Sequence, residues 1–458
     1  MYQINFNKPV KIHFMGIGGI SMSGLAEILH AKGFTVVGSD ARESAITDHL
    51  ASLGIQIAYG QKAENITPDI DVVVYTAAIH PDNPEFAAAK AAGLPMMDRA
   101  ELLGQIMKNY ANAIAVAGTH GKTTTTSMLS HILLAADTDP TISVGGILKA
   151  IHGNIRVGHS DNFITEACEY TNSFLKFNPS LELILNIEED HLDFFKDIDD
   201  IRRSFRKFAE KLDKNGTLII NGEIDHPEEI TAGLPCKIIT YGLKNSCNYM
   251  AANITFDDFA KGSFDLVIDG QITDHIKLNV AGIHNISNAL AAIAAARELH
   301  ISMDIIKSGL LAFEGTDRRF EYKGQFNGVT VIDDYAHHPT EIAATLNAAL
   351  KYPHKQIWCV FQPHTYTRTK AFLHEFAQAL SLADKIVLAD IYAAREKDPG
   401  DIHSRDIQQL LLEAGKEAYY FPSFPEIEKF LSEKCINGDL LITMGAGDVV
   451  LVGEALIQ

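Results

Sequence analysis

Short apolar runs alternate with helical spacing along the first hundred residues. Residues 11–15, 35–37 and 72–75 read as strands, and 20–31, 45–52 and 85–92 repeat their apolar positions at the helical period. Such alternation predicts a parallel sheet covered on both faces. Residues 105–112 read as a linker to a longer central region, with strands at 113–117, 163–165, 183–186 and 218–221 and alternating β-type sequence between 249 and 280. A second boundary falls at 313–319, where Gly315-Thr316-Asp317-Arg318-Arg319 interrupts the helical pattern. Beyond it, strands at 329–332, 356–361, 385–388 and 439–443 alternate again with helices. The pattern predicts three α/β domains at 1–107, 108–314 and 315–458: a Rossmann-like domain, a central domain with a mostly parallel sheet, and a second Rossmann-like domain.

Between the strand at 113–117 and the helical pattern from Ser127 lies Gly118-Thr119-His120-Gly121-Lys122-Thr123-Thr124. Backbone N–H groups and a helix N-terminus offer partial positive charge to phosphate oxygens. Lys122 can reach the β- and γ-phosphates, and the Thr123 hydroxyl suits Mg²⁺. A strict Walker loop would carry Gly where this chain has Val116. A second glycine turn, Gly16-Ile17-Gly18-Gly19-Ile20-Ser21-Met22-Ser23-Gly24, follows the first strand and suits a dinucleotide or a nucleotide diphosphate. Asp40 then stands where a dinucleotide enzyme holds a ribose hydroxyl, so a nicotinamide-dependent dehydrogenase fused to a nucleotide switch is one reading to test.

Composition narrows the field. The 458 residues suit two to four domains, and 47% hydrophobic with 21% charged residues is ordinary globular usage. No apolar run is long enough to cross a bilayer, which argues against membrane insertion. The five cysteines are scattered without C-x-x-C spacing and predict reduced thiols in a cytoplasmic protein rather than disulfides or structural zinc. A formal charge of −19 disfavours nucleic acid as a partner.

Several further residues emerge at predicted strand or helix ends. Glu166 closes one strand in Glu166-Ala167-Cys168-Glu169, and His191 follows another in Glu188-Glu189-Asp190-His191. A lone acid or histidine is more often structural than functional, but both fall on the sheet edge that carries the phosphate loop. Asn285 and Asn288 open an Ala-rich helix, where Asn commonly serves as a cap. Asp333-Asp334-Tyr335-Ala336-His337-His338-Pro339 follows a strand, and paired Asp beside paired His is unusual for a simple turn.

Set together, Gly118-Thr119-His120-Gly121-Lys122-Thr123, Glu166-Ala167-Cys168-Glu169, His284-Asn285-Ile286-Ser287-Asn288-Ala289 and Phe361-Gln362-Pro363-His364-Thr365-Tyr366-Thr367-Arg368 resemble, in order, the motifs of the Mur ligase family. These are the ATP-dependent amide ligases that build the peptide of bacterial cell-wall precursors. The first glycine turn and His120 are similar to the branch that joins L-alanine to UDP-N-acetylmuramate; a branch that recycles murein tripeptide shares the phosphate loop and is the rival within the family. The resemblance implies that Gly16, Gly18, Gly19, Ser21, Ser23 and Asp40 hold the UDP-sugar. It implies that Gly118, Thr119, His120, Gly121, Lys122, Thr123 and Thr124, with Asn285, Asn288, Arg318, Asp333 and Asp334, hold ATP. Thr123, Glu166 and His191 become ligands of two Mg²⁺ ions, and Tyr335, His337 and Arg368 line the amino-acid pocket. Lys122, His337 and Arg368 are the implied catalytic groups. His337 is the candidate base for the amine, and an acyl phosphate is the implied intermediate. A monomer or a homodimer is expected.

Overall fold

The computed structural model describes residues 2–76, 78–244 and 246–458. Strands β1 (Lys11–Met15), β2 (Thr35–Asp40), β3 (Gln56–Tyr59), β4 (Val72–Tyr75) and β5 (Met96–Asp98) form an all-parallel sheet in the order β3-β2-β1-β4-β5. The predicted helices Ile20–Ala31 and Ala45–Ser52 are present, and a third spans Pro84–Ala91. Pro84 opens that helix because its missing N–H would go unpaired there in any case, and the Asn83 side chain caps it through Glu85 and Phe86 N–H.

The central sheet contains β6 (Asn112–Ala117), β7 (Thr141–Leu148), β8 (Gly153–Arg156), β9 (Asn162–Ala167), β10 (Leu181–Ile184), β11 (Thr217–Asn221), β12 (Lys237–Gly242), β13 (Tyr249–Phe256), β14 (Lys261–Ile268) and β15 (Gln271–Ala281). Their order is β15-β14-β13-β12-β11-β10-β6-β9-β7-β8, parallel through the middle and antiparallel at both ends. β6 is buried from Ala113 to Ala117 between β9 and β10, so its near-continuous apolar run is what a strand covered on both faces requires. Val116 pairs with Glu166 and Leu183 inside this sheet, and the turn to the helix begins only after Ala117. The third sheet is β16 (Glu321–Phe326), β17 (Val329–Asp334), β18 (Ile357–Phe361), β19 (Lys385–Leu388), β20 (Glu417–Tyr420) and β21 (Leu440–Met444), ordered β16-β17-β21-β18-β19-β20. The molecule therefore has three α/β domains.

Of the linker expected at residues 105–112, only 108–111 lies outside a helix or strand. A helix runs from Arg99 to Met107 with Leu102 to Met107 buried, and β6 begins at Asn112. Gly104 lies so close to the central domain that a Cβ there would fall 2.0 Å from the Lys176 carbonyl oxygen. One apolar cluster continues from Phe14 and Leu25 through Leu103 and Ile106 to Phe163 and Phe205, joining the first two domains in a common core. The third domain has separate cores around Phe361 and Phe376, and around Trp358 and Leu441. Among the described residues no helix is long and apolar enough to cross a membrane. All five cysteines are free.

Candidate active site

The phosphate loop owes its shape to two glycines with positive φ, Gly118 at 148° and Gly121 at 81°. A Cβ on Gly121 would lie 2.7 Å from Asn288 Oδ1, so glycine is needed for backbone and neighbour alike. The helix Lys122–Ala135 starts directly after Gly121 and points its free N–H groups at the loop. Asn186, just beyond β10, accepts from His120 N–H at 2.7 Å and donates to the His120 carbonyl at 3.1 Å, fixing the loop from the adjacent strand end. Thr119 Oγ1 accepts from Glu188 N–H at 2.9 Å.

Lys122 Nζ donates to the carbonyls of Gly118 and Thr119 at 2.5 and 3.1 Å and to Glu169 at 3.0 Å. Burial opposes its charge, but Glu169 outweighs that and raises its pKa, so the ammonium is permanent. Thr123 Oγ1 donates to Glu166 Oε2 at 3.0 Å, and Glu166 Oε1 accepts from Gly145 N–H at 2.5 Å. A hydroxyl and a carboxylate side by side are the hard oxygen donors that Mg²⁺ takes, so this pair fits the ion. His191 Nε2 stands 3.8 Å from Glu169 Oε1 and from Asp190 Oδ2, with its ring against Tyr170. Burial lowers its pKa and leaves a lone pair for a metal. His120, Glu188 and His338 also bring three donor atoms within 4.8 Å. Burial alone would depress the His120 imidazole, but Glu341 and Glu188 hold its pKa up at about 9, so at neutral pH it presents hydrogens rather than a lone pair.

The third domain closes over this loop. A cavity of about 190 Å³ is lined by Thr119, Lys122, Thr123, Glu166, His191, Arg319 and His337, among others. It thus brings the loop, all three predicted metal ligands and the predicted base together. Beside it a cavity of about 270 Å³ is lined by Gly121, Thr124, His284, Asn285, Asn288 and Asp334, among which Asn285, Asn288 and Asp334 are the residues expected to meet a nucleoside. Asn285 Nδ2 donates to the Ala281 carbonyl at 2.7 Å and Asn288 Nδ2 to Asn285 Oδ1 at 3.1 Å. Asp334 accepts from Phe320 N–H, Ala336 N–H and Thr345 Oγ1, and burial raises its pKa to about 6.

Two predicted nucleotide contacts do not reach these cavities. Arg318 spends its guanidinium on Asp333 at 3.0 Å and on the carbonyls of Gly447 and Gly445 at 3.0 and 2.7 Å. Asp333 is fully buried, bound to Arg318 and to Thr443. Both are fixed within the third domain, and Arg319 is the arginine that lines the cavities. Arg318 sits in the turn before β16 with a left-handed φ of 60°, which sends its side chain away from that of Arg319. Asp333 and Asp334 lie within β17 rather than after it, and they divide because successive strand side chains face opposite ways.

On the far side, Arg368 is largely buried and donates to Asp190 Oδ1 at 2.7 and 3.1 Å, while its other nitrogen contacts His364 Nδ1 at 3.1 Å. Burial opposes the Asp190 charge, but Arg368 overrides it and holds the carboxyl far below its usual range. Arg368, His191 and Asp190 line a small adjoining recess. Tyr335 packs under the guanidinium groups of both Arg318 and Arg319. His337 Nδ1 lies 3.0 Å from the Tyr335 carbonyl and 3.2 Å from Glu341 Oε2, which assigns its proton to Nδ1.

The first-domain turn is built within its own sheet. Gly16 and Ile17 N–H donate to the Ser39 carbonyl, Gly18 N–H donates to Asp40 Oδ2 at 2.8 Å, and Ser23 Oγ donates to the Ile20 carbonyl. Asp40 thereby shapes the turn itself, while Gly19 caps the helix and Ser21 is exposed. None of these residues lines the cavities around the phosphate loop. Glu341, Asp190, Glu188, Asn186 and Arg319 are the site residues that sequence reasoning passed over. The only sequence signals for them are adjacency to His191 and Arg318, and the four-residue step from His337 to Glu341.

Residues 11–111 match the Mur ligase family catalytic domain, 116–296 the Mur ligase middle domain, and 318–447 the Mur ligase glutamate ligase domain. A UDP-N-acetylmuramate–L-alanine ligase of Agathobacter rectalis is 66% identical over 458 residues, covering all of both chains. The solved UDP-N-acetylmuramate–alanine ligase of Thermotoga maritima is 31% identical, covers 98% of each chain and superposes with a TM-score of 0.79. A murein peptide ligase from Psychrobacter arcticus is 26% identical over 98% of each chain, with a TM-score of 0.69.

Proposed function

The chain belongs to the Mur ligase family, and from that premise we propose that it joins L-alanine to UDP-N-acetylmuramate at the expense of ATP, in the synthesis of the peptidoglycan precursor. The observation that carries this reading is the shared cavity: the phosphate loop with Lys122 and Thr123 and the amine-side His337 open onto the same space. Full-length identities of 66, 62 and 61% to alanine ligases favour this acceptor over the tripeptide of the recycling branch, whose solved structures stand at 26 and 29%. A nicotinamide-dependent reaction has no support beyond the first glycine turn, where Asp40 is committed to Gly18.

The lactyl carboxylate of the sugar attacks the γ-phosphorus, the bond to the bridging oxygen of ADP breaks, and an acyl phosphate results. Bringing a carboxylate to 4 Å from a phosphate charge costs about 4 kcal/mol per charge pair at an effective dielectric near 20. Lys122 offsets this repulsion, and its ties to Gly118 and Thr119 keep the ammonium at the mouth of the loop. The helix end behind Gly121 stabilises the charge left on ADP. Thr123 with Glu166, and His191 near Glu169, would hold Mg²⁺, which supplies further charge neutralisation at the phosphates. Asn285, Asn288 and Asp334 take the adenosine, and Arg319 takes the place given to Arg318 by resemblance.

L-alanine then enters with its carboxylate toward Arg368, whose guanidinium is held by Asp190. His337 Nε2 accepts the ammonium proton, the amine attacks the acyl carbon, and phosphate leaves. Gly16, Gly18, Gly19, Ser21 and Ser23 hold the UDP end, with Asp40 keeping the turn in shape. We place the reaction in the cytoplasm, where ATP and the nucleotide sugar are available. The test is phosphate release from ATP with UDP-N-acetylmuramate and a panel of amino acids. Release dependent on both the sugar nucleotide and L-alanine is expected; release without the sugar, or with no amino acid of the panel, overturns the reading.

A further inference from the structure

Glu341 lies on the first turn of the helix Pro339–Ala349 and is largely buried at the meeting of the central and third domains. Its two oxygens serve different sides of the site. Oε1 stands 3.3 Å from His120 Nδ1 in the phosphate loop and 3.6 Å from the Arg319 guanidinium. Oε2 accepts from His337 N–H at 3.1 Å and stands 3.2 Å from His337 Nδ1. We propose that Glu341 is a positioning residue for amide formation, holding the His337 imidazole with its Nε2 lone pair free for the amine and tying that imidazole to the phosphate loop through His120.

The chemistry follows from the geometry. A carboxylate on Nδ1 fixes the tautomer, so the basic lone pair sits on Nε2, and it stabilises the imidazolium formed when His337 takes the proton. Burial works against the charge of Glu341, but His337 and His120 hold its pKa well below the ordinary value, so the carboxylate is ionised throughout the working range. His120 is gripped from the other side by Glu188, at 3.5 Å, and Glu188 accepts from Thr340 Oγ1 at 2.6 Å. Loss of the Glu341 charge therefore leaves the loop with a second carboxylate, while His337 loses the only one within ion-pair distance among the described residues.

This inference rests on the ligase reading, and one experiment separates the two. The full-length enzyme and its Glu341→Gln variant are compared with L-alanine and with hydroxylamine, which is unprotonated at neutral pH and attacks an acyl phosphate without a base. Glu341→Gln should lose about 100-fold in amide formation with L-alanine, the scale of a misplaced general base, yet stay within about threefold of the parent in hydroxamate formation. Unimpaired amide formation, or equal losses with both nucleophiles, overturns the positioning role. Failure of the parent enzyme to form either product would instead overturn the ligase reading. Glu341→Asp, which keeps the charge but retracts it by one methylene, should fall between the two.

Discussion

The two seams between domains differ in their dominant contacts, although a small apolar cluster of Ala260, Ala281 and Ala348 also lies at the second. At the first, the helix Ile20–Ala31 packs Gly24 against Ile155 of β8, Gly104 presses on Lys176, and a single apolar core crosses the boundary. At the second, the third domain meets the phosphate loop through ions and hydrogen bonds: Glu341 with His120, Thr340 with Glu188, His338 with the Glu189 carbonyl, and Arg368 with Asp190. Dispersion and burial are short-ranged and nondirectional, and they fix the first pair of domains as one body. Charged contacts can be exchanged for water or substrate at small net cost, which suits a seam that has to admit ATP and an amino acid and then exclude water.

The sharpest break falls on the charged seam. Lys122→Ala should lower kcat/KM for ligation by about 10³-fold or more, close to 4 kcal/mol of transition-state stabilisation, and lower the unfolding midpoint as well, because it strands the buried Glu169. Turnover near the parent level would remove the loop from the mechanism. Next is the arginine pair: Arg318→Ala strands the fully buried Asp333 and should cost about 3–5 kcal/mol of third-domain stability in chemical denaturation. Arg319→Ala should leave stability alone and raise the KM for ATP. The reverse pattern would return the nucleotide contact to Arg318.

Acidity distinguishes the seams directly. His120 is raised from 6.5 to about 9 in the folded protein, so its contribution is whole below pH 6.5, declines as pH rises toward 9, and is gone above it. The contribution is at most about 3 kcal/mol by linkage. Thermal unfolding from pH 6 to 10 should show this decline in the parent and a flatter profile in His120→Asn; superimposable profiles would remove the ion pairs from the energetics of the seam. The smallest effect belongs to the apolar seam. Gly104→Ala forces a methyl toward the Lys176 carbonyl and should cost about 1–3 kcal/mol, with no dependence on pH across that window.

Much of this was legible from residue order. The strands at 11–15, 72–75 and 385–388 and the helices at 20–31 and 45–52 appear with the predicted bounds, because the apolar pattern there is clear and ends at or near polar or glycine residues. The hairpin of β7 and β8 and the short edge strand β3 went unread, since their half-exposed residues carry little periodicity. The supposed linker failed for a related reason. Its last helical turn, Gly104 to Met107, is buried on the neighbouring domain, and nothing in the local sequence says which neighbour will cover it.

Sequence alone determined the family, the three-domain order and the glycine loop ahead of the helix Lys122–Ala135, because these depend on local backbone geometry and on the pattern of residue types. Tertiary structure decided which of two adjacent arginines lines the cavities, that Asp40 is turned inward, and that Glu341 joins His120 to His337 across 221 positions of chain. Contacts between residues so far apart follow from how sheets pack and twist against one another. No local pattern records them.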